Sequence, residues 1–402
     1  MSDAIVVLNA GSSSLKFCVF DVGHDPGLVA RGQIEGLGTS PKFKARNKQG
    51  EALADSAVTS PTGKVGHTEA FAHLANWVRA QYAGEYRAVA IGHRMAHGGL
   101  KYSQATLITP EVMGELEQLI PLVPLHQPHN IAGVKAVLQL RPDLPQVACF
   151  DTAFHRNRPT VSERFALPNE LFEQGVRRWG FHGLSYQSIS SQLQTIAPEL
   201  REGRVIVAHL GSGASMCAML GGRSVDTTMS FSALDGLPMG TRCGALDPGV
   251  ILYLLGRGMT AAQIETLLYK KSGLLGISGV SNDVRDLLAS KEPLAAVAIE
   301  YFVYRIIREI GALTAVLGGL DGLVFTAGVG ENSQVIRQRV CAGLGWLSIN
   351  IDESANQKGR GCISPPGASP QVWVIPTDEE SVIAAQTLEV TLYAAPTTGS
   401  PK

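Results

Sequence analysis

The sequence predicts an α/β protein built from two like halves, and three observations carry that reading. First, one stretch occurs twice: Ala4 to Asp21, AIVVLNAGSSSLKFCVFD, returns about two hundred residues later as Val205 to Leu220, VIVAHLGSGASMCAML. In register, Ile5-Val6-Val7 falls on Val205-Ile206-Val207, Gly11 on Gly211 and Ser12 on Ser212. Each copy is an apolar β-branched run, a small-residue turn and a second apolar run, the pattern of a β-hairpin. One copy alone would pass for an ordinary tight hairpin; two copies a domain apart argue for duplication. Second, strand-like and helix-like segments alternate along the chain, which favours an α/β architecture. Third, several strands end in glycine-bearing turns that enter helices, where backbone N–H groups face outward to anions.

The elements follow in order. Gly23 to Gly66 is polar and rich in Gly, Lys and Thr, which suits further β-structure and exposed loops. Glu69 to Tyr82 sets Phe71, Leu74, Trp77, Val78 and Tyr82 at helical spacing. Arg87 to Gly92 is a strand entering GHRMAHGG, Gly92 to Gly99. Thr109 and Pro110 open a helix as N-cap and first residue. Pro121 and Pro124 close it before LHQPHN, Leu125 to Asn130, leads into a helix ending near Leu140. Val147 to Phe150 is a buried strand that delivers Asp151 within FDTAFH.

In RRWGFHGLSYQSI, Arg177 to Ile189, a glycine turn runs into a helix. Asp226 to Gly249 is a long glycine-rich loop whose apolar content argues against disorder, so function is expected of it. Thr260 to Gln263 is a capping box, and Gly276 to Leu287 is another turn leading into a helix. Leu294 to Leu320 carries Glu300, Arg305, Arg308 and Glu309, so it reads as a long amphipathic helix and not a membrane span. Asp321 to Ala327 is a strand ending in the turn AGVGENS, with Gln334 to Gly343 helical behind it. Val372 to Pro376 is a strand, TDEES caps a final helix, and the tail after Ala395 reads as frayed.

Composition narrows the class. A chain of 402 residues suggests two or three domains, and 45% hydrophobic against 17% charged residues describes a globular core. A net charge of −1 gives no broad pull toward nucleic acid or anionic membrane. The N-terminus enters a strand without a basic region or cleavage site, so no signal peptide is expected. Six cysteines without a CxxC pair fit buried reduced thiols of a cytosolic protein.

The polar groups that stand out lie at strand ends or in glycine turns: Asn9, Lys16, Arg94, His126, Asp151, His182, Arg242 and Glu379. Groups so placed are expected to converge on a cleft between two halves. Basic donors, small hydroxyls, glycines and a few carboxylates suit a phosphoryl group with a divalent metal, which needs positioning and charge neutralisation. Competing chemistries are weaker. GSGAS places Gly213 where a GxSxG nucleophile would stand. The pairs His126/His129 and His93/His97 lack the HExxH or Cys/His quartet of a zinc site. AGVGENS is not GxGxxG, and no Walker A motif occurs, so a kinase here is not of the P-loop type.

The ordered set NAGSSSLK (Asn9 to Lys16), FDTAFH, GFHG, HLGSGAS (His209 to Ser215), PMGTR, FTAGVGENS and TDEE resembles the acetate kinase family from Ala4 to about Ala385. Any one motif is weak; the ordered set is specific. The resemblance implies the duplicated two-domain α/β fold of the acetate and sugar kinase, Hsp70 and actin superfamily, which is ribonuclease H-like. It implies an acetate-side lobe over residues 1–150, joined by a C-terminal helix at about 382–395, and a nucleotide-binding lobe over 151–381. The implied reaction is reversible transfer of the ATP γ-phosphoryl group to acetate, giving acetyl phosphate and ADP, in a cytoplasmic homodimer using Mg²⁺ or Mn²⁺.

By the same resemblance Arg94 grips the acetate carboxylate and Arg242 the transferring phosphoryl, while His126 and His182 donate to its oxygens. Asp151 belongs to the same catalytic set as a magnesium or orienting group, and with Asn9 and Glu379 (or Glu380) it arranges the metal and acceptor. Ser12, Lys16, His209 and the Gly211, Ser212 and Gly213 turn face the phosphates. Asp283, Val284, Arg285, Gly328, Gly330, Glu331 and Asn332 face the nucleoside. Ala96, Leu125, Phe181 and Ala233 wall the acetate methyl. The chain departs from the family pattern at Ser212 (usually Asn), Cys243 (Ser), Ala245 (Asp), Gln127 (Asn) and Tyr186 (His), and at Ala96 and Ala233, often Val and Pro. The two alanines leave room for another methylene. A propionate or butyrate kinase is the alternative within the class, and an ATP-driven interaction protein like actin or Hsp70 the alternative outside it.

Overall fold

The computed structural model describes all residues except 24–26, 61–63 and 395–402. The expectation of a frayed tail after Ala395 therefore lies outside the described residues, as does part of the polar stretch before Gly66. The chain divides into two compact units, Met1–Ala153 with Asp378–Lys402, and Phe154–Thr377.

In the first unit, β1 (Ser2–Ala10), β2 (Ser14–Asp21), β3 (Gly27–Glu35), β4 (Lys42–Asn47) and β5 (Ala52–Ala57) form an antiparallel meander. The first copy of the repeated stretch is thus a hairpin, with Asn9 opposite Lys16. β6 (Tyr86–Met95) and β8 (Gln146–Phe150) then add parallel to β1, with the short β7 (Thr106–Leu107) on the edge, in the order β5-β4-β3-β2-β1-β6-β8-β7. The helix His67–Gln81 follows the apolar period read in the sequence and buries Ala70, Phe71 and Leu74. Its Trp77 meets Phe17 and Phe43 edge-on, with ring centroids 5.8 and 5.1 Å away. Phe17 and Phe43 are fully buried and each contributes roughly 1.5–3 kcal/mol, while Trp77 is half-buried. The helix Glu379–Ala394 returns to this unit and packs on β1, β6 and β8. It can do so because position 92 is glycine: a Cβ there would stand 2.3 Å from Thr387 Oγ1.

The second unit repeats the plan. β9 (Arg204–Leu210), β10 (Ala214–Leu220) and β11 (Arg223–Thr227) are an antiparallel meander; β12 (Gly322–Thr326) and β14 (Gln371–Val374) add parallel to β9, with β13 (Gly361–Cys362) at the edge. The helix Gly183–Ile196 buries Tyr186, Ile189 and Leu193 in a core with Val205, Val207, Cys217 and Val324. The capping box at Thr260 is present, and the long amphipathic helix runs Pro293–Leu317. AGVGENS differs from its expected form: Ala327–Asn332 is a short helix, held because Glu331 Oε1 accepts from Ala327 N at 2.8 Å. Among the described residues no helix is long and apolar enough to cross a membrane.

Candidate active site

In the first unit, parallel pairing of β6 and β8 sets Arg94 beside Cys149, so the carboxyl ends of both strands present Arg94 and Asp151 together. Arg94 Nη2 donates to Asp151 Oδ2 at 2.8 Å, and Nε reaches Oδ1 and Oδ2 at 3.1 and 3.2 Å. Glu379, the first residue of the last helix, brings Oε2 within 3.8 Å of Arg94 Nε. Burial lowers the Arg94 pKa, and the Asp151 and Glu379 carboxylates more than reverse this, so the guanidinium stays charged. The structure thus brings Arg94, Asp151 and Glu379 together in one group. Next to Glu379, burial pushes the Glu380 carboxyl up, and Glu379 adds to the effect.

His126 is the N-cap of the helix Gln127–Leu140, and Leu125 precedes it, half-buried. A residue that motif reasoning passed over anchors this corner. Asn130, one turn beyond His126, accepts from Ala96 N at 3.0 Å and donates to Ala10 O at 2.9 Å. It thereby ties the end of β1, which carries Asn9, to the segment carrying Arg94 and Ala96. Its only sequence signal is its place as the last residue of LHQPHN. The pair His93 and His97 makes structural contacts. His93 donates from Nε2 to Gln146 Oε1 at 2.7 Å and is pushed down to about 4 by burial. His97 Nδ1 accepts from Gly99 N at 2.8 Å. Among the described residues no group of three His, Cys, Asp or Glu is placed to hold a metal.

In the second unit the turn Gly211-Ser212-Gly213 closes on itself, Gly211 N donating to Gly213 O at 3.0 Å. His182 begins the helix Gly183–Ile196 in the left-handed region, with φ 58°. His155 steadies that bend: it is buried, donates from Nε2 to Phe181 O at 3.0 Å and is pushed down to about 3 by burial, so it stays neutral. The His182 and His209 rings stack with centroids 4.2 Å apart. A Cβ at Gly213 would lie 3.3 Å from His182 Nε2 and 3.9 Å from Arg242 Nη1, so both side chains face the turn. Arg242 Nη1 in turn donates to Ala233 O at 2.9 Å.

A cavity of about 620 Å³ adjoins the turn, within the range that small-molecule sites occupy. Gly211, Ser212, Asp283, Val284, Arg285, Gly328 and Asn332 line it, and Met239, Leu274, Leu288 and Phe302 supply apolar wall. Asp283 caps the helix Val284–Ala289 and forks onto Arg285. Gly330 and Glu331 are not among the lining residues; Glu331 Oε1 also accepts from Thr377 N at 3.2 Å. Sequence reasoning missed Arg337, which is fully buried and donates to the carbonyls of Gly330 and Glu331 at 2.8 Å each. It holds the AGVGEN backbone in place from behind.

A doubled α/β plan, with a glycine hairpin turn in each unit and a cavity of about 620 Å³ beside the second turn, defines a duplicated two-unit α/β fold. The comparisons narrow this. The profile of the Acetokinase family matches residues 4–385. An acetate kinase of Rhodopseudomonas palustris is 52% identical over 96% of this chain and 97% of its own. Among solved structures, a propionate kinase from Francisella tularensis superposes with a TM-score of 0.90 at 36% identity, covering 97% of this chain and 100% of its own. The acetate kinase of Porphyromonas gingivalis gives 0.85 at 38% identity, with the same coverage. This chain belongs to the Acetokinase family.

Proposed function

We propose that the protein is an acetate kinase, transferring the γ-phosphoryl group of ATP to acetate to give acetyl phosphate and ADP, reversibly. The observation that carries this reading is Arg94, whose Nε and Nη2 are committed to Asp151 and whose Nη1 is left for a second planar anion. A guanidinium fixes a carboxylate by two contacts, which lysine cannot do. Acetate is already ionised at neutral pH, so its attacking oxygen needs no proton removed. Asp151 accordingly orients Arg94 instead of serving as a base. An acetate oxygen forms a bond to the γ-phosphorus as the bond to the ADP oxygen breaks, and no proton moves. The difficulty is anion meeting anion, which Arg94, Arg242 and the N–H groups of His126 and His182 offset.

Magnesium needs one or two protein oxygens beside phosphate and water. The Glu379 carboxylate and the Asn9 amide suit it, with Glu380 as the alternative oxygen. When bound, the ion neutralises charge between the phosphates. Phosphates sit against Ser12, Lys16, His209 and the Gly211–Gly213 turn, and the nucleoside against Asp283–Arg285, Gly328 and Asn332, with Gly330 and Glu331 supporting them. Six free thiols, four of them buried, fit a cytoplasmic setting.

Propionate is the second acceptor we assign, because Ala96 and Ala233 are small where the resemblance places the acceptor's methyl group. A pocket larger by a methyl group or two discriminates by only about 1–3 kcal/mol. Purified protein with ATP, Mg²⁺ and each short-chain acid in turn should trap acyl hydroxamate from acetate and propionate. No acyl phosphate with any acid would overturn the kinase reading; a propionate kcat/KM more than about a hundredfold below acetate would overturn the second assignment alone.

The partner is a second copy, seated on the helix Pro248–Gly256. That helix is apolar along its length, and Leu252 and Tyr253 are 69% and 63% exposed. A patch of this kind marks an interface. Light scattering should show a dimer, and Leu252→Glu with Tyr253→Glu should give monomers; a monomeric wild-type protein would refute the assignment.

A further inference from the structure

We propose that Tyr186 and Ser215 are positioning residues that hold the proton of His182 on Nε2, aimed at the glycine turn. This rests on the phosphoryl-transfer reading for what His182 does, but not for how it is held. Ser215 Oγ is fully buried on β10 and lies 2.8 Å from His182 Nδ1 and 2.5 Å from the Tyr186 hydroxyl. Tyr186 is itself fully buried, its ring edge-on to His155 with centroids 5.6 Å apart. A serine hydroxyl has one proton and can accept as well, so the chain runs in one of two directions. A phenol, with a pKa near 10, is a far stronger acid than an aliphatic alcohol, hence the better donor and poorer acceptor. Tyr186 therefore donates to Ser215, and Ser215 donates to His182 Nδ1. An imidazole whose Nδ1 accepts carries its proton on Nε2.

Nε2 is the atom that a Cβ at Gly213 would approach to 3.3 Å, so the N–H projects to the turn beside the cavity-lining Ser212. The reversed chain would need a proton on Nδ1, and reaching the phosphoryl as well would need the imidazolium. The His209 ring stacks 4.2 Å away, with its own Nδ1 2.8 Å from Ser185 Oγ, and so helps fix the plane of the His182 ring. The left-handed backbone at His182 is a costly conformation of the kind retained where a side chain must be aimed.

The test is the ring nitrogen spectrum of ¹⁵N-histidine-labelled protein, with His182 assigned by its loss in His182→Gln. The expected wild-type pattern at neutral pH is a pyridine-like Nδ1 and a pyrrole-like Nε2. Tyr186→Phe keeps the shape of the core; it should mix in the other tautomer and lower kcat about tenfold, with KM for ATP and the melting temperature little changed. A pyrrole-like Nδ1 in the wild-type protein, or a Tyr186→Phe protein with unaltered His182 shifts, would overturn the proposal whatever the activity. A failed kinase reading would instead appear as absent acyl phosphate with the predicted tautomer intact.

Discussion

Arg94→Ala should lower kcat/KM for acetate by at least about a thousandfold, equivalent to roughly 4 kcal/mol of transition-state stabilisation. On the proposed reading two losses combine: the acceptor carboxylate would lose its planar clamp, and two negative reactants would lose a fixed cation. The side chain is 25% exposed and Asp151 only 5%, so the substitution also takes the guanidinium away from a buried carboxylate. Breaking such a pair from one side costs about 3–5 kcal/mol, so Arg94→Ala should melt well below the wild-type protein. Arg94→Ala with Asp151→Ala removes both charges and should recover most of that stability without recovering activity. Arg94→Lys keeps the charge but not the fork and should remain severely impaired. Steady-state kinetics and thermal melts on the three variants separate these effects. An Arg94→Ala enzyme within tenfold of wild type would refute the acceptor role; a double variant no more stable than the single one would refute the broken-pair account.

The sequence made the strands and their glycine turns legible because period and turn chemistry are local. Ala4 to Asp21 and Val205 to Leu220 announce themselves by β-branched runs around small residues, and both are hairpins. Asp151 was legible as the residue that a buried strand delivers. What stayed hidden depends on partners distant in the chain. Asn130 is a corner anchor only because Ala10 lies next to it across 120 residues, and the Ser215 link to His182 spans 33. AGVGENS looked like a turn since glycines are poor helix formers. Its helix depends on the Glu331 carboxylate at one end and Arg337 behind, and neither contact has a periodic signature.

Arg242→Ala should abolish at least about a thousandfold of kcat while leaving the melting temperature close to wild type. The asymmetry with Arg94 follows from the neighbours. Arg94 is held by a buried carboxylate, whereas Arg242 Nη1 donates to the neutral Ala233 carbonyl and approaches Met239 Sδ at 3.6 Å. Loss of those two contacts with neutral atoms costs the fold little, so the expected cost falls on the reaction. Gly213→Ala tests the same space from the opposite side. Gly213 lies outside the left-handed region, so alanine fits the backbone, and its methyl would sit 3.3 Å from His182 Nε2 and 3.9 Å from Arg242 Nη1. If the transferring phosphoryl occupies the space that these two donors face, the added methyl should lower kcat steeply in a normally folded protein. Arg242→Lys, with one donor point in place of a planar set, should restore little. A Gly213→Ala enzyme with wild-type turnover would place the phosphoryl elsewhere. An Arg242→Ala protein that loses stability in proportion to its activity would make the arginine a structural support. Both outcomes can be read from one pair of melting curves and one progress-curve series, because the cation and the methyl act on the same few ångströms from opposite sides.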